Sequence, residues 1–245
     1  MANYAETEHL AETMGHKIDV SVIEPKGPAK GNVLYLHGAG ESSKERLLPL
    51  ARSLGNLGHK GVIFSLPGHG KSSGTLLGST LAERRIITEA IGHKFQVLPA
   101  DMIVAVSMAG HTAISMLETP ENSFRRLALF APAAYSHEAE KAPFGPKFSE
   151  IIRRPKSYHK SKAWDILPRF KGQLVIFQAE LDEVIPPEVI DMIGEHSTSA
   201  SQNERVILPG APHRLTTWMS EHPHRLEAIA TALDSFNFDG LPSKL

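Results

Sequence analysis

The stretch VAVSMAGHT, from Val104 to Thr112, joins an apolar run to small, helix-forming residues at a single serine, Ser107. Such a junction predicts a buried strand that passes directly into a helix. A sharp turn there lifts the serine side chain above the carboxyl edge of a sheet, where a ligand can reach it. Glycine is usual on both sides of such a turn, and here Ala105 and Ala109 take its place. A serine that only caps the following helix is the alternative interpretation.

Short apolar runs recur on both sides of this junction, and the segments between them carry apolar residues at helical spacing. This alternation predicts a mostly parallel central sheet of about eight strands flanked by helices, an α/β fold. Two alternating segments around Gly15 predict an opening hairpin. The other strand-like runs are NVLYLHG (32–38), GVIFSLPG (61–68), LALFAP (127–132), QLVIFQA (173–179) and RVILPG (205–210).

The segment from Pro132 to Gly172 interrupts the alternation, because it contains no convincing strand. It holds nine Lys or Arg residues against four Asp or Glu residues, together with four prolines after Pro132. We interpret it as a short cap inserted at approximately 132–172 into a single domain that spans residues 1–245. Within it, residues 153–171 have a formal balance of +6. If that charge lies over a pocket, it would favour an anionic substrate, whereas a merely solvated lid is the alternative.

A serine hydroxyl is a poor nucleophile near neutral pH, so it needs a base, and the base needs an orienting acid. In a strand-helix architecture the expected order is serine, then Asp or Glu, then His. Asp182 follows the run QLVIFQA, and His213 follows the run RVILPG. Both occupy loops directly after predicted strands, where side chains project over the sheet edge. Glu180 and Glu183 remain alternatives for the acid.

Acyl chemistry also needs hydrogen-bond donors for the developing oxyanion. The backbone N–H of Met108, at the start of the helix after Ser107, is one candidate. The second would come from the glycine-containing loop after the run NVLYLHG. We assign it to Ala39, with Gly40 as the alternative, and interpret His37 as a residue that orders this loop.

These residues resemble the α/β-hydrolase superfamily over nearly the whole chain. The loop LPGHGKSSG, from Leu66 to Gly74, is similar to a family stretch that usually begins with aspartate, for which this chain has Ser65. The resemblance implies the serine-hydrolase branch, which includes carboxylesterases, monoacylglycerol lipases and thioesterases. It therefore implies hydrolysis of an ester through an acyl-enzyme, with no cofactor. An acyl-thioester hydrolase and a C–C bond hydrolase are the enzymatic alternatives, and a ligand-binding protein on the same fold is the non-enzymatic one.

Composition narrows the range of partners. The 245 residues carry a formal net charge of −1, which gives no reason to expect nucleic acid, and no apolar window is long enough to span a membrane. Cysteine is absent, and the histidines form no metal-binding motif, so no metal is expected. We therefore expect a small-molecule acyl substrate and a cytoplasmic location. The final tripeptide Ser243-Lys244-Leu245 adds the peroxisomal matrix as an alternative in a eukaryotic source. No pattern specifies an oligomeric state.

Overall fold

Eight strands form one sheet in the order β1-β2-β4-β3-β5-β6-β7-β8 within residues 2–241, which the computed structural model describes. Only the first two pairings, β1 with β2 and β2 with β4, are antiparallel. From β4 to β8 all pairings are parallel. The strands are β1 (Tyr4–Thr13), β2 (His16–Pro25), β3 (Asn32–Leu36), β4 (Lys60–Phe64), β5 (Ala100–Val106), β6 (Phe124–Phe130), β7 (Gln173–Leu181) and β8 (Gln202–Pro212).

Helices cover both faces of the sheet, which explains why the parallel strands read as continuous apolar runs. One face is packed by α2, α3, α6 and α7, and the other by α1, α8 and α9. The helices are α1 (Leu48–Asn56), α2 (Leu81–Lys94), α3 (Met108–Met116), α4 (His137–Glu140), α5 (Pro146–Arg153), α6 (Ala163–Ile166), α7 (Pro187–His196), α8 (Leu215–Glu221) and α9 (Pro223–Ser235).

The chain between β6 and β7 forms α4, α5, α6 and two short 3-10 turns, Ser157–Lys160 and Leu167–Arg169. Apolar side chains of α4, α5 and the loop between them form a third buried cluster with Leu81 and Met108. Met108 is the residue directly after Ser107. This helical segment therefore packs against the start of α3, at the carboxyl edge of the sheet.

The predicted α/β fold with a mostly parallel sheet of about eight strands is confirmed. One detail of α2 differs from the apolar face that the helical spacing of Ile86, Ile87, Ala90 and Ile91 predicts. Ile86 is 48% exposed, whereas Arg84 is only 2% exposed and lies on the buried side with Ile87 and Ile91. In the described part of the chain, no helix is long and apolar enough to cross a membrane. Residues 243–245 lie outside the described residues, so the location of the protein stays a prediction.

Candidate active site

Ser107 occupies a sharp turn between β5 and α3. Its backbone angles are φ 52° and ψ −119°, a region that residues other than glycine rarely adopt. The Ser107 amide donates to the carbonyl oxygen of Phe130 at 2.8 Å, and its carbonyl accepts from the Ala133 amide at 3.0 Å. Backbone strain of this kind costs about 1–3 kcal/mol and persists where the surroundings enforce it. Here the hydrogen bonds to Phe130 of β6 and to Ala133 after it hold Ser107 in this strained conformation.

Two glycines allow the chain to pass close to this turn. A Cβ at Gly38 would lie 3.3 Å from Ser107 Cβ, and a Cβ at Gly110 would lie 2.7 Å from Pro132 Cβ. Gly38 and Gly110 therefore allow the neighbouring chain to approach the turn closely. Neither glycine occupies the positions of Ala105 and Ala109, where the usual turn sequence has glycine. Ala105 and Ala109 fit without exposure to solvent.

Ser107, His213 and Asp182 form a continuous hydrogen-bonded chain. Ser107 Oγ lies 3.0 Å from His213 Nε2, and His213 Nδ1 lies 2.9 Å from Asp182 Oδ2. The carboxylate can only accept, so His213 donates through Nδ1–H and its Nε2 accepts from the serine hydroxyl. Each residue directly follows a parallel strand, namely β5, β8 and β7. These strands share one carboxyl edge, which is why residues so distant in sequence meet.

Asp182 is fixed by backbone donors in addition to His213. Its Oδ1 accepts from the amides of Val184 at 2.8 Å and Ile185 at 2.9 Å. Burial acts to raise the pKa of Asp182, but the bonds from His213, Ile185 and Val184 outweigh it and hold the pKa below its usual value. The carboxylate therefore stays ionised and favours the Nδ1–H tautomer of His213.

The two alternative acids lie elsewhere. Glu180 Oε2 accepts from the backbone amide of Gly210 at 2.7 Å and thereby fixes the turn before His213. The side chain of Glu183 makes no hydrogen bond or ion pair with any described residue. The geometry thus brings Asp182, and neither glutamate, into contact with His213.

A cleft of about 340 Å³ opens in front of Ser107. Ala39, Gly40 and Met108 line it, and their amides donate to no acceptor within the described residues. Met108 begins α3, so its amide lacks an intrahelical acceptor in any case. These free donors beside Ser107 suit an oxyanion.

His37 and His69 order the loop that carries Ala39. The Leu66 amide donates to His37 Nε2 at 3.0 Å, so His37 Nδ1–H donates to the carbonyl oxygen of Gly38 at 2.8 Å. The His69 ring lies 4.8 Å from the His37 ring. Burial, reinforced by His69 and Arg84, lowers the pKa of His37 to about 3. Both of its ring nitrogens are committed to the backbone, which agrees with its predicted role in ordering the loop.

Arg84 lies buried beneath the cleft and forms no ion pair with a carboxylate of residues 2–241. Its Nη1 lies 3.6 Å from Met108 Sδ, its Nη2 lies 3.5 Å from His69 Nε2, and its guanidinium stacks 4.6 Å from the Phe144 ring. Its Nε has no hydrogen-bond partner in the described structure. Burial lowers the pKa of Arg84 to about 10, so it remains a cation at neutral pH.

Lys44 anchors the far end of the Ala39 loop. Its side chain is 2% exposed, and its Nζ contacts Glu8, Asp19 Oδ1 at 2.8 Å and Ser21 Oγ at 2.8 Å. Its backbone amide donates to Ser65 Oγ at 3.2 Å. Ser65, which stands where the similar stretch has aspartate, therefore holds the loop through a hydroxyl, while Asp19 supplies the buried carboxylate.

His111 lies on α3, four residues after Ser107, and is 3% exposed. The Tyr135 amide donates to its Nδ1 at 3.3 Å, which leaves the proton on Nε2. Glu140 Oε1 lies 4.0 Å from Nε2, and Nε2 has no hydrogen-bond partner among the described residues. Burial, Lys162 and Arg85 lower the pKa of His111 to about 4. Its position fits a packed histidine that supports Tyr135 in the cleft wall.

The described residues contain no group of three or more His, Asp or Glu side chains arranged to hold a metal. The sheet order and the residues gathered at its carboxyl edge define the α/β-hydrolase class of proteins. A family model described as serine aminopeptidase, S33, matches residues 27–163, which is more than half of the chain. The protein belongs to this family of hydrolases.

Solved structures with the same fold cover nearly the whole chain. A predicted CIB-like hydrolase from Thermoplasma acidophilum has a TM-score of 0.70 at 13% identity, covering 95% of this chain and 99% of the other. Est1E from Butyrivibrio proteoclasticus, solved with ferulic acid bound, has a TM-score of 0.69 at 19% identity, covering 93% and 97%. A monoacylglycerol lipase from Paleococcus ferrophilus has a TM-score of 0.66 at 21% identity, covering 93% and 99%. A comparison with curated protein sequences gives no match.

Sequence reasoning missed several residues of the site. Arg46, Tyr135 and Arg214 line the cleft, and Arg84 lies beneath it. Arg84 carried a usable signal, because it shares a helical face with Ile87 and Ile91. The other three carried none, since the paths of the loops decide which of their side chains turn inward.

Proposed function

We propose that the protein is a serine hydrolase that cleaves an ester of a small-molecule or lipid substrate through an acyl-enzyme intermediate. The observation that carries the proposal is the hydrogen-bonded chain from Ser107 Oγ through His213 to Asp182, at the floor of an open cleft. Family membership supports a hydrolase, and the residue types support an activated serine nucleophile.

The proposed reaction begins when Ser107 Oγ attacks the carbonyl carbon and passes its proton to His213 Nε2. The carbonyl oxygen becomes an oxyanion, which the amides of Met108 and Ala39 stabilise. Asp182 stabilises the imidazolium form of His213. The tetrahedral intermediate collapses and expels the alcohol, which takes the proton from His213.

In the second half of the reaction, water attacks the acyl-enzyme while His213 accepts one of its protons. Collapse then releases the carboxylic acid and returns the proton to Ser107. These steps need only the side chains and amides named here, and no cofactor enters them. An acyl thioester would react at the same groups with a thiol as the leaving group.

Residues 132–172 act in this proposal as the cap. Two cap residues line the cleft together with Met108. They are Tyr135, just before α4, and Ile152, in α5. Phe144 and Phe148 pack behind them in the buried cluster over Met108. The cap therefore shapes the wall of the cleft that receives the substrate and excludes water from the reacting carbonyl.

A fluorophosphonate probe tests the proposal. We expect covalent labelling of the wild-type protein at Ser107, located by peptide mass spectrometry, and no labelling of Ser107→Ala. Hydrolysis of p-nitrophenyl esters of graded acyl length, with acyl-CoA thioesters alongside, then separates esterase from thioesterase activity. A wild-type protein that neither reacts with the probe nor turns over any ester would instead be a ligand-binding protein on the same fold.

A further inference from the structure

The residues that line the cleft fall into two chemical groups. The apolar or aromatic ones include Tyr135, Ile152, Val184 and Ile185. The polar ones include Arg214, Thr216 and Thr217 around the start of α8, together with Arg46, which contacts Thr217, and we call these four the polar wall. A substrate that satisfies both groups has an apolar part and a polar part.

The two arginines of the polar wall have no acidic partner. Arg46 Nη1 donates to Thr217 Oγ1 at 2.8 Å, and neither arginine forms an ion pair with any described residue. Both residues are exposed to the cleft and solvent. Their donors are therefore available to a ligand, and an arginine fork suits a carboxylate or a phosphate.

Three cations of the cap form ion pairs with neighbouring acids, and no lysine or arginine of residues 132–172 is among the described residues that line the cleft. Arg154 pairs with Glu138 at 2.8 Å and with Glu150 at 3.0 Å. Lys162 pairs with Glu140 at 3.3 Å. Lys156 pairs with Glu188 of α7 at 3.4 Å. The cap therefore keeps a net positive charge, but the arginines that line the cleft, Arg46 and Arg214, come from outside it.

The position of His213 decides which part of the substrate meets the arginines. In ester hydrolysis this histidine must protonate the leaving group, so the leaving group lies within hydrogen-bond reach of Nε2. Arg214 directly follows His213, and Thr217 lies one helical turn further along α8, where it accepts from Arg46. The polar wall therefore begins at the residue next to the histidine that meets the leaving group.

We propose that the substrate carries an anionic group, a carboxylate or a phosphate, on its alcohol side, and that Arg46 and Arg214 bind this group. The acyl side is apolar and rests on the wall of Tyr135 and Ile152. This inference rests on the proposed hydrolase function and names its substrate class.

One carboxylate opposes this charge within the cleft. Glu41 lines the cleft, is exposed, and forms no ion pair or side-chain hydrogen bond with any described residue. With two arginines and one glutamate, the balance of these three groups is +1. Removal of Glu41 therefore acts in the opposite direction to removal of an arginine, which provides an internal control.

The test compares butyrate esters that differ in charge on the alcohol side. Phosphoethyl butyrate and O-butyrylglycolate carry the two anions, propyl butyrate is neutral, and butyrylcholine is cationic. Monoethyl succinate places a carboxylate on the acyl side. We expect the highest kcat/KM for an alcohol-side anion, with phosphoethyl butyrate and O-butyrylglycolate distinguishing phosphate from carboxylate. This preference should weaken as ionic strength rises.

For each variant, the measured quantity is the ratio of kcat/KM for the preferred anionic ester to kcat/KM for propyl butyrate. Arg46→Gln and Arg214→Gln should each lower this ratio about 10-fold or more, the size expected for one charge-assisted hydrogen bond. Glu41→Gln should raise it. Arg153→Gln is the matched control, because Arg153 is an exposed cap cation outside the cleft lining and should leave the ratio unchanged.

Binding to the Ser107→Ala protein, measured by calorimetry with the unhydrolysed esters, separates the two proposals. Hydrolysis without any dependence on Arg46 and Arg214 overturns the anionic substrate class and leaves the hydrolase function standing. Charge-dependent binding without hydrolysis or phosphonate labelling of the wild type supports the anion site and overturns the hydrolase function. A preference for butyrylcholine or propyl butyrate, unchanged in the arginine variants, also overturns the inference.

Discussion

Gly110 of α3 lies directly against Pro132, so that a Cβ at Gly110 would come within 2.7 Å of Pro132 Cβ and 3.1 Å of Pro132 Cα. The start of the nucleophile helix and the chain leaving β6 therefore approach each other as closely as a glycine permits. This contact holds α3 in the position that its sharp turn requires.

Replacing Gly110 by alanine should destabilise the protein. We expect overpacking of about 1–3 kcal/mol, because Pro132 is rigid and cannot move its backbone away cheaply. Helix propensity would favour alanine by up to about 1 kcal/mol, which only partly offsets this strain. Urea unfolding measures the difference. Gly194→Ala in α7 is the matched control, because a Cβ there meets nothing within 4 Å and should stabilise the helix.

The choice of acid is tested by Asp182→Asn and Glu180→Gln. Asp182 contacts His213, whereas Glu180 contacts only the Gly210 amide. We expect Asp182→Asn to lower kcat by a factor of about 10³ or more, and Glu180→Gln to retain activity near that of the wild type. Steady-state hydrolysis of a p-nitrophenyl ester provides the measurement. The opposite pattern would assign the acid to Glu180.

Ser107 and His213 should act as a unit. Ser107→Ala and His213→Ala should each lower kcat by roughly three orders of magnitude or more. The double variant should lose little beyond either single variant, because the nucleophile and its base serve the same step. Additive losses in kcat would show that the two side chains act in separate steps.

Stability should fall as the pH is lowered below about 6.5, the usual pKa of histidine in an unfolded chain. The folded-state pKa values are about 3 for His37 and about 4 for His111. Between these values and about 6.5, the unfolded chain binds protons that the folded protein does not, which favours unfolding. Each residue should contribute up to about 1.4 kcal/mol per pH unit in that window. Urea unfolding at pH 7, 6 and 5 measures the slope.

His111→Asn isolates one of these contributions. The asparagine carbonyl replaces Nδ1 as the acceptor for the Tyr135 amide, but it does not titrate. In this variant, the number of protons taken up on unfolding in that pH window should be lower by up to one. His224→Asn is the control, because His224 is exposed, and the same reduction in both variants would contradict the assignment.

Arg84→Met should leave the free energy of unfolding unchanged or increased. The substitution removes a buried cation that pairs with no carboxylate in the described part of the chain, and it keeps an apolar side chain between Met108 and Phe144. It should also raise the pKa of His69, which burial and Arg84 hold below its usual value. Urea unfolding and an NMR titration of His69 test the two effects. Arg85→Met, which breaks surface ion pairs with Glu89 and Glu118, should not raise the pKa of His69.

The sheet and the contacts of Ser107 could be predicted from the sequence. They depend on the spacing of apolar residues and on the order in which the strands follow one another along the chain. Ser107, Asp182 and His213 each follow an apolar run, and parallel strands place their carboxyl ends on one edge. The structure brings these three residues together as expected. Their catalytic roles stay a proposal until the variants are measured.

The charge of the cleft could not be read from the sequence. A count over residues 153–171 gives +6, but three of its seven cations pair with acids outside that window, at Glu138, Glu140, Glu150 and Glu188, and none of the seven is among the described residues that line the cleft. Ion pairing depends on how the helices fold back on one another. The positions of Arg46 and Arg214 depend on the fold in the same way, since these two residues are far apart in sequence and both line the cleft.

The buried Lys44 determines how far this chain can be trimmed. Its acidic partners, Glu8 and Asp19, both belong to the opening hairpin, although no residue from 2 to 25 lines the cleft. A shortened chain that begins at Gly27, where the family match starts, would leave a buried ammonium without a counter-charge at the end of the Ala39 loop. The hairpin is therefore part of the minimal functional unit, and a fragment chosen from the family boundaries alone would lose it.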